Sequence, residues 1–341
     1  MMSSSSHLSR SDPPGPAIAV VNPLPRLVNR ELGRGARWAD GIFRGIVTAC
    51  SFSVLVIVVL ILIELVLQSQ LTLHRFGWRF FIGENWDPVA GDFGALTFIY
   101  GTLVSSILAL VIAVPLSLGL AIFNTEMCPR PLRAPLSFVT DLLAAIPSVI
   151  YGLWAVFVLV PVLREYVQPW LAAHFGWTGL FSGPPYGIGM LAAGIILAIM
   201  IIPVITSITR EVLTSVPQNQ REAALALGAT RWEMIRIAVV RNARVGIAGA
   251  IILGLGRALG ETMAVTMVIG NRPEIAKSLF APGYTMASVI ANEFTEATGN
   301  LDLSALIEIA LTLLILTLLV NALARVLVWS VTRGAPAEIN A

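Results

Sequence analysis

The sequence predicts an all-α protein that crosses a membrane six times. Of its 341 residues, 56% are hydrophobic and only 12% are charged, whereas soluble domains usually carry about 25% charged residues. The mean hydropathy is +0.82, so a water-soluble fold would have too little polar surface. Six long apolar segments reach the length of about 20 residues that a helix needs to span a bilayer. Because these segments are continuous rather than alternating, and because lipid cannot bond bare peptide groups, they are expected to be helices and not barrel strands.

The predicted spans follow one another along the chain with polar segments between them. They fall at 42–67, 95–123, 136–163, 187–208, 245–270 and 303–331. Residues 1–40, which contain a serine run and several prolines and arginines, predict a flexible tail. Residues 41–94 hold the first span and an outer loop, residues 95–333 hold the other spans, and 334–341 form a second tail.

Basic residues predict the orientation, because cytoplasmic flanks of membrane helices collect lysine and arginine. Most of the arginines lie in the segments 10–44, 130–133, 210–244 and 325–333, which alternate regularly with the spans. The opposite loops hold only Arg75, Arg79, Arg164, Arg272 and Lys277. Both termini and the loop at 210–244 are therefore expected in the cytoplasm.

The cytoplasmic loop at about 210–244 contains a short helical pattern with small side chains. Glu222, Ala223 and Ala224 are expected in a short helix, which Gly228 can end in a left-handed conformation. A second helix is expected to start at Arg231. An exposed helix of this kind suits docking into a groove of another protein, although a basic helix lying on the membrane surface fits the same pattern.

These residues carry a resemblance to a known family. The string Glu222-Ala223-Ala224, followed by Gly228 and then by Ile237, resembles the EAA loop of the ABC-importer permeases. In that family the loop is a coupling helix that sits in a cleft of the ATPase subunit. The resemblance implies that Glu222, Ala223, Ala224 and Gly228 form this coupling element. The chain departs from the family pattern at Val240-Arg241, where Leu-Pro is usual.

The fifth span contains two ionisable residues, Arg257 and Glu261, at a depth where each charge is costly. Their spacing predicts that they share one helix face. Small residues form rows along the same span, at Gly246, Ala250 and Gly254 and again at Gly256 and Gly260, and such rows let a neighbouring helix approach closely. Other acidic residues of the spans, Asp141, Glu64 and Glu308, are expected near membrane interfaces.

The fifth span is also similar to that of the PstC-type subunit of the phosphate ABC importer. Three further strings carry the likeness: Trp86-Asp87-Pro88 with Phe93 to Thr102, Ala144 to Trp154, and Ala291-Asn292-Glu293-Phe294. The resemblance covers about 37–333. It implies the type I ABC-importer permease fold in a bacterial inner membrane, and transport of inorganic phosphate into the cytoplasm by alternating access. It also implies a PstA-type partner permease, a PstB-type ATPase dimer and a PstS-type periplasmic phosphate-binding protein.

The chain itself is not expected to be an enzyme or to hold a cofactor. It has no Gly-x-x-x-x-Gly-Lys-Ser/Thr loop for nucleotide phosphates, no nucleophile paired with a base, and no Cys/His metal spacing. ATP hydrolysis is therefore assigned to the partner chain that the resemblance implies.

Two alternatives remain open at this stage. Arg257 can supply a permanent positive charge to a phosphate oxyanion while Glu261 holds it in the empty state, or the two can form a purely structural ion pair. The chain can also be a permease for another oxyanion or small solute, or a stand-alone channel or secondary transporter. The EAA loop argues against the last class, because a stand-alone transporter needs no ATPase docking element.

Overall fold

The computed structural model describes residues 34–332. The predicted tail at 334–341 and residues 1–33 of the other predicted tail lie outside this range. The first described helix begins at Arg34, inside the predicted tail of residues 1–40. The prolines that oppose a helix end at Pro25, well before this point.

The described chain is mostly helical, as predicted. Its helices are α1 (Arg34–Gln68), α2 (Gln70–Phe76), α3 (Arg79–Ile82), α4 (Leu96–Ile122), α5 (Arg130–Ala145), α6 (Ser148–Trp154), α7 (Val160–Val162), α8 (Gln168–Phe175), α9 (Met190–Thr214), α10 (Gln218–Ala226), α11 (Arg231–Met234), α12 (Arg241–Leu259), α13 (Met263–Thr266), α14 (Met286–Glu293) and α15 (Asn300–Thr332). Wider π-helical turns at Phe123–Met127, Ala155–Leu159, Leu163–Val167 and Ile235–Val240 continue several of them. Two short antiparallel strands, β1 (Trp86–Asp87) and β2 (Asp92–Phe93), pair Trp86 with Phe93.

Six helical segments of the described chain are long and apolar enough to cross a membrane, which confirms the predicted number. They are Gly41–Gln68, Leu96–Met127, Ser148–Thr178, Met190–Thr214, Arg231–Leu259 and Asn300–Trp329. The chain divides after Leu60 into two compact units. In the first unit the side chains of α1 from Gly41 onward are exposed and largely apolar, as a lipid-facing helix requires. The second unit holds all the features that follow.

The third span differs from its predicted bounds of 136–163. The helix is interrupted at Ile146 and Pro147, whose backbones are extended with ψ of 130° and 139°. A residue before proline disfavours the α region, and this preference ends α5 at Ala145. The spanning segment therefore starts at Ser148 and runs to Thr178, while α5 is a separate helix in front of it.

The fifth span is displaced in the opposite direction. It starts at Arg231 and its helix ends at Leu259, not at the predicted residue 270. Gly260 caps the end, and the chain leaves helical structure before α13. Glycine has low helix propensity and commonly stands where helices end, so the paired glycines Gly256 and Gly260 mark a terminus and not only a packing face.

The core of the second unit forms where α12 packs against α9 and α4, with Ala250 completely buried. A Cβ atom on Gly246 would lie 2.4 Å from Val212 Cγ1, and one on Gly254 would lie 2.7 Å from Ile205 Cδ1. Both distances are too short for a larger side chain, so the small-residue row predicted for the fifth span is confirmed as the contact with α9.

Candidate functional site

A large cavity lies between α12 and α15, with Val204 of α9 at its wall. Its volume is about 850 Å³, and it is lined mainly by apolar groups such as Gly249 and Leu253. Its polar lining comes from Arg257, Asn321 and Arg325. A mostly apolar cavity with a few convergent polar groups is the usual form of a small-ligand site.

Arg257 is exposed and lies in the last turn of α12. The carbonyl groups at a helix C-terminus carry partial negative charge, so this position favours a cation even without an ionic partner. Sequence analysis placed Arg257 within a span, and the described helix agrees, since the spanning segment ends two residues later at Leu259.

The predicted alignment of Arg257 and Glu261 on one helix face is wrong. Glu261 lies beyond the end of α12, in the non-helical link to α13. Among the described residues no ion pair within 4.0 Å joins the two side chains; the ion pairs found there are Arg210–Asp141 and Arg221–Glu126. The sequence spacing implies a shared face only while the helix continues, and Gly260 ends it.

Asn321 and Arg325 of α15 line the cavity, although the sequence predicts only a helix contact and a cytoplasmic anchor for them. A Cβ atom placed on Gly256 would lie 3.8 Å from the side-chain amide of Asn321, an ordinary van der Waals distance, so the amide lies beside this turn of α12. Arg325 follows one helical turn later on the same side of α15. The signal in the sequence was the four-residue spacing between these two polar side chains on an otherwise apolar helix, which places them on one helix face.

Two other acidic residues of the spans also differ from a simple interfacial role. Glu308 is only 1% exposed, and neither carboxylate oxygen has a hydrogen-bond partner in the described part of the chain, so its predicted position at an interface is wrong. Asp141 is 3.3 Å from Arg210 in an ion pair that joins α5 to α9. The surroundings of Glu308 and Asp141 are set by packing against neighbouring helices, and hydropathy carries no information on such packing.

The loop between the fourth and fifth spans has the local structure that the sequence predicts. Glu222, Ala223 and Ala224 lie in α10, and Gly228 follows with a φ of 85°. The predicted restart at Arg231 is confirmed as α11, where the Thr230 hydroxyl and the Glu233 carboxylate cap each other's backbone amides.

The exposure pattern shows which side of this loop is free in the single chain. Glu222 and Ala223 are exposed, whereas Ala224 packs against the apolar cluster beneath α10. Leu227 is 90% exposed and Trp232 is 62% exposed. Exposed large apolar side chains next to a short helix are typical of a protein–protein contact.

Arg221 of α10 forms polar contacts with the ends of two spanning helices. Its guanidinium is 2.9 Å from Glu126 Oε1, at the end of the second span, and donates to the Leu213 carbonyl at 2.8 Å. Arg231 donates to the Glu126 carbonyl at 2.6 Å. On the other side, the amide of Asn242 in α12 donates to Gln220. The loop is thus tied to the second, fourth and fifth spans.

At the other end of the helices, the β hairpin that contains Trp86 contacts α14, which contains Glu293. Trp86 Nε1 donates to Glu293 Oε2 at 2.7 Å, which links the β hairpin to α14. Burial raises the pKa of the Glu293 carboxyl, while the hydrogen bonds from Trp86 and Tyr284 act in the opposite direction. The rings of Phe93 and Phe98 meet Trp86 edge to face at centroid distances of 4.8 and 5.0 Å.

Comparison with known proteins gives consistent likenesses. The model of the family described as binding-protein-dependent transport system inner membrane component matches residues 113–333. The phosphate transport system permease protein PstC of Mesorhizobium japonicum is 49% identical over 313 residues, which cover 90% of this chain and 96% of the relative. PstC of Haemophilus influenzae is 46% identical over 295 residues, covering 85% of this chain and 93% of the relative.

Solved structures include a similar fold. A bacterial ABC transporter involved in the import of the acidic polysaccharide alginate aligns with a TM-score of 0.56 and 18% identity, covering 84% of this chain and 98% of that chain. At this identity the likeness concerns the arrangement of the helices alone.

Proposed function

This chain belongs to the PstC-type permeases, within the family of binding-protein-dependent transport system inner membrane components, and from that membership we propose that it carries inorganic phosphate through the membrane. The chain is a translocation component of an ABC importer and is not the subunit that hydrolyses ATP. Phosphate is proposed because PstC proteins are relatives of this chain, one of them 49% identical over most of its length. The observation that carries the proposal is the cavity that presents Arg257.

Arg257 is proposed to contact the passing anion. A guanidinium offers a planar set of donors that matches a phosphate oxyanion, and it keeps its charge at any physiological pH. Glu261, in the non-helical link two residues beyond α12, is proposed to assist the gate between inward and outward openings. The purely structural ion pair has weaker support, since no such pair is formed among the described residues.

The exposed face of α10 is proposed to dock into an ATPase subunit. Glu222 and Ala223 form the contact, Ala224 packs the helix onto the membrane domain, and Gly228 gives the turn that exposes Leu227. The ties from Arg221 and Gln220 to the spans support this role, because a docking helix must be mechanically connected to the helices that it moves.

The proposed assembly follows from the same family. It contains a PstA-type partner permease, a PstB-type ATPase dimer and a PstS-type periplasmic phosphate-binding protein in the inner membrane of a bacterium. The six spanning segments support a multi-pass membrane location. Closure of the ATPase dimer on ATP would move α10 and rock the spans between two openings.

The test is uptake of radiolabelled phosphate by a strain that lacks its own high-affinity importer and expresses this chain with its three partner subunits. Uptake is expected, and excess unlabelled sulfate should not reduce it. An equal loss of signal with sulfate would favour the broader oxyanion permease. No uptake above the empty vector, with the assembled complex present in the membrane, would refute phosphate as the substrate.

A further inference from the structure

The cavity between α12 and α15 has a positive charge balance. Two arginines, Arg257 and Arg325, line it, and its lining within the described chain includes no aspartate or glutamate. Both arginines are exposed, and neither takes part in an ion pair among the residues that the structure describes. Each side chain lies in a segment long and apolar enough to span the membrane.

Two guanidinium groups that share one cavity, without an ionic partner among the described residues, are energetically unfavourable. Each charge is costly without a partner in a medium of low dielectric constant, and like charges that share a cavity disfavour each other. An anion between them would relieve both costs. This electrostatic argument is independent of any name carried by a relative.

The helix geometry gives the site a direction. Asn321 lies against Gly256, the residue next to Arg257, and Arg325 follows Asn321 by four residues, or about 6 Å along the helix axis. The chain of α15 runs towards the side predicted to be cytoplasmic. An anion leaving Arg257 for that side would meet the amide of Asn321 and then the guanidinium of Arg325.

We propose that Arg325 and Asn321 form, together with Arg257, a binding site for a phosphate-bearing anion. For free phosphate this deepens, and rests on, the proposed transport function, with Arg325 as the next cationic contact on the way to the cytoplasm. A phospholipid headgroup offers the same chemistry. Both ligands need the two arginines, so the experiment includes an arm for each.

The phosphate arm uses the complete importer in vesicles of phosphatidylcholine alone, with ATP and the phosphate-loaded binding protein. Arg325→Gln is expected to lower phosphate uptake about tenfold or more, the loss typical of one charged hydrogen bond. Arg325→Lys should retain part of the rate, because it keeps the charge but loses the planar fork. Arg133→Gln, an exposed arginine of α5 outside the cavity, is the matched control and should be unchanged.

The lipid arm measures the phosphatidylglycerol retained by the purified complex from mixed vesicles, by mass spectrometry. If a headgroup is the ligand, wild-type complex retains phosphatidylglycerol and Arg325→Gln loses it, while uptake in phosphatidylcholine is equal for both. Equal amounts of assembled complex in every sample exclude a folding defect.

The outcomes separate the two levels of inference. If Arg325→Gln matches the wild type in both uptake and lipid retention, the two-arginine site is refuted while the transport function stands. If the wild type itself carries no phosphate, the transport function fails, and the lipid arm alone decides whether the site binds an anion.

Discussion

At the scale of single residues, charge placement in the fifth and sixth spans determines what the cavity can bind. Arg257 is near the C-terminus of α12, where the helix dipole favours a cation by about 0.3–1 kcal/mol. Insertion scales give a cost of about 2.5–3.5 kcal/mol for a charge at the centre of a membrane helix, and Arg257 lies two residues before the end of its spanning segment, away from that centre. The helix dipole and a bound anion therefore both favour a cation at this position.

Substitution of Arg257 and Glu261 separates transport from structure. Arg257→Gln is expected to reduce phosphate uptake about tenfold or more without loss of the assembled complex, and Arg257→Lys should be partly active. Glu261→Gln should leave assembly intact, because the two residues make no ion pair among the described residues. Uptake and the amount of complex in the membrane are the measurements.

The double variant, Arg257→Gln with Glu261→Gln, gives the decisive comparison. If the pair were purely structural, the double neutral variant would regain the uptake that either single variant had lost. We expect no recovery of uptake, because the anion still lacks its cationic contact. Recovery to wild-type uptake would rule out contact between Arg257 and the anion.

Gly228 permits a graded test of the coupling loop. Its φ is 85°, and no atom of this chain lies within 4 Å of the position that a Cβ would occupy, so a substitution acts on the loop itself through the backbone and not through crowding. Asparagine tolerates the left-handed region, whereas alanine loses about 1–2 kcal/mol there and a β-branched residue loses more. Uptake should therefore fall in the order Asn, Ala, Val.

The same variants should show reduced co-purification of the ATPase while the chain still inserts into the membrane. Gly228→Asn is the matched control for a side chain of similar size to valine. A Gly228→Val chain with normal uptake and normal ATPase content would contradict the docking role of the loop.

The residue-scale predictions from sequence succeeded where a local signal was sufficient. The left-handed glycine at 228 and the restart of the helix at Arg231 depend on neighbouring residues alone, and both are confirmed. The relative position of Arg257 and Glu261 depends on the helix ending at Leu259. The place of Arg325 in the cavity depends on how α15 packs on α12. Such long-range information is absent from spacing.

At the scale of elements, the loop that contains α10, proposed to couple to an ATPase, is held on the membrane domain by buried polar contacts. The side chains of Arg221 and Glu126 are 13% and 8% exposed, and Arg221 also bonds backbone carbonyls at the end of α9. A buried charge left without its partner typically costs about 3–5 kcal/mol. The contact therefore resists separation of α10 from the ends of the second and fourth spans.

Removal of this contact should uncouple ATP hydrolysis from transport. Arg221→Met or Glu126→Gln is expected to lower phosphate uptake strongly while the ATPase still binds the exposed face of α10. Arg210→Met is the comparison variant: its ion pair with Asp141, whose side chain is 53% exposed, should be worth at most about 1 kcal/mol. Hydrolysis per phosphate transported, measured in vesicles, is the relevant quantity.

Two outcomes would contradict this interpretation. An Arg221→Met importer with an unchanged ratio of hydrolysis to transport would show that the loop moves the spans through other contacts. A double variant of Arg221→Met and Glu126→Gln that regains full uptake would show that the pair serves stability alone.

Element boundaries illustrate what hydropathy alone leaves undetermined. The predicted third and fifth spans were located by apolar content, yet the helices break at Pro147 and Gly260, inside apolar sequence. Both breaks follow from backbone preferences of proline and glycine. The number of spans was nevertheless predicted correctly, because it depends on length and polarity summed over about 20 residues.

At the scale of the whole molecule, the six spans and the charge distribution together define the topology. An even number of spans brings both ends of the chain to the same side. The basic segment 130–133 lies between the second and third spans, and 210–244 covers the end of the fourth span, the loop after it and the start of the fifth, on that same side. Since lysine and arginine favour the cytoplasm, both ends and the coupling loop should be cytoplasmic, where ATP is available.

Reporter fusions test this arrangement directly. A reporter active only in the cytoplasm should be active after Arg333, and a reporter active only in the periplasm should be active near Gly283, in the link between the fifth and sixth spans. A third fusion after Gly228 should match the result at Arg333, because four spans precede Gly228 and six precede Arg333, both even numbers. Periplasmic activity at Gly228 would place α10 out of reach of any ATPase and would refute both the topology and the coupling proposal.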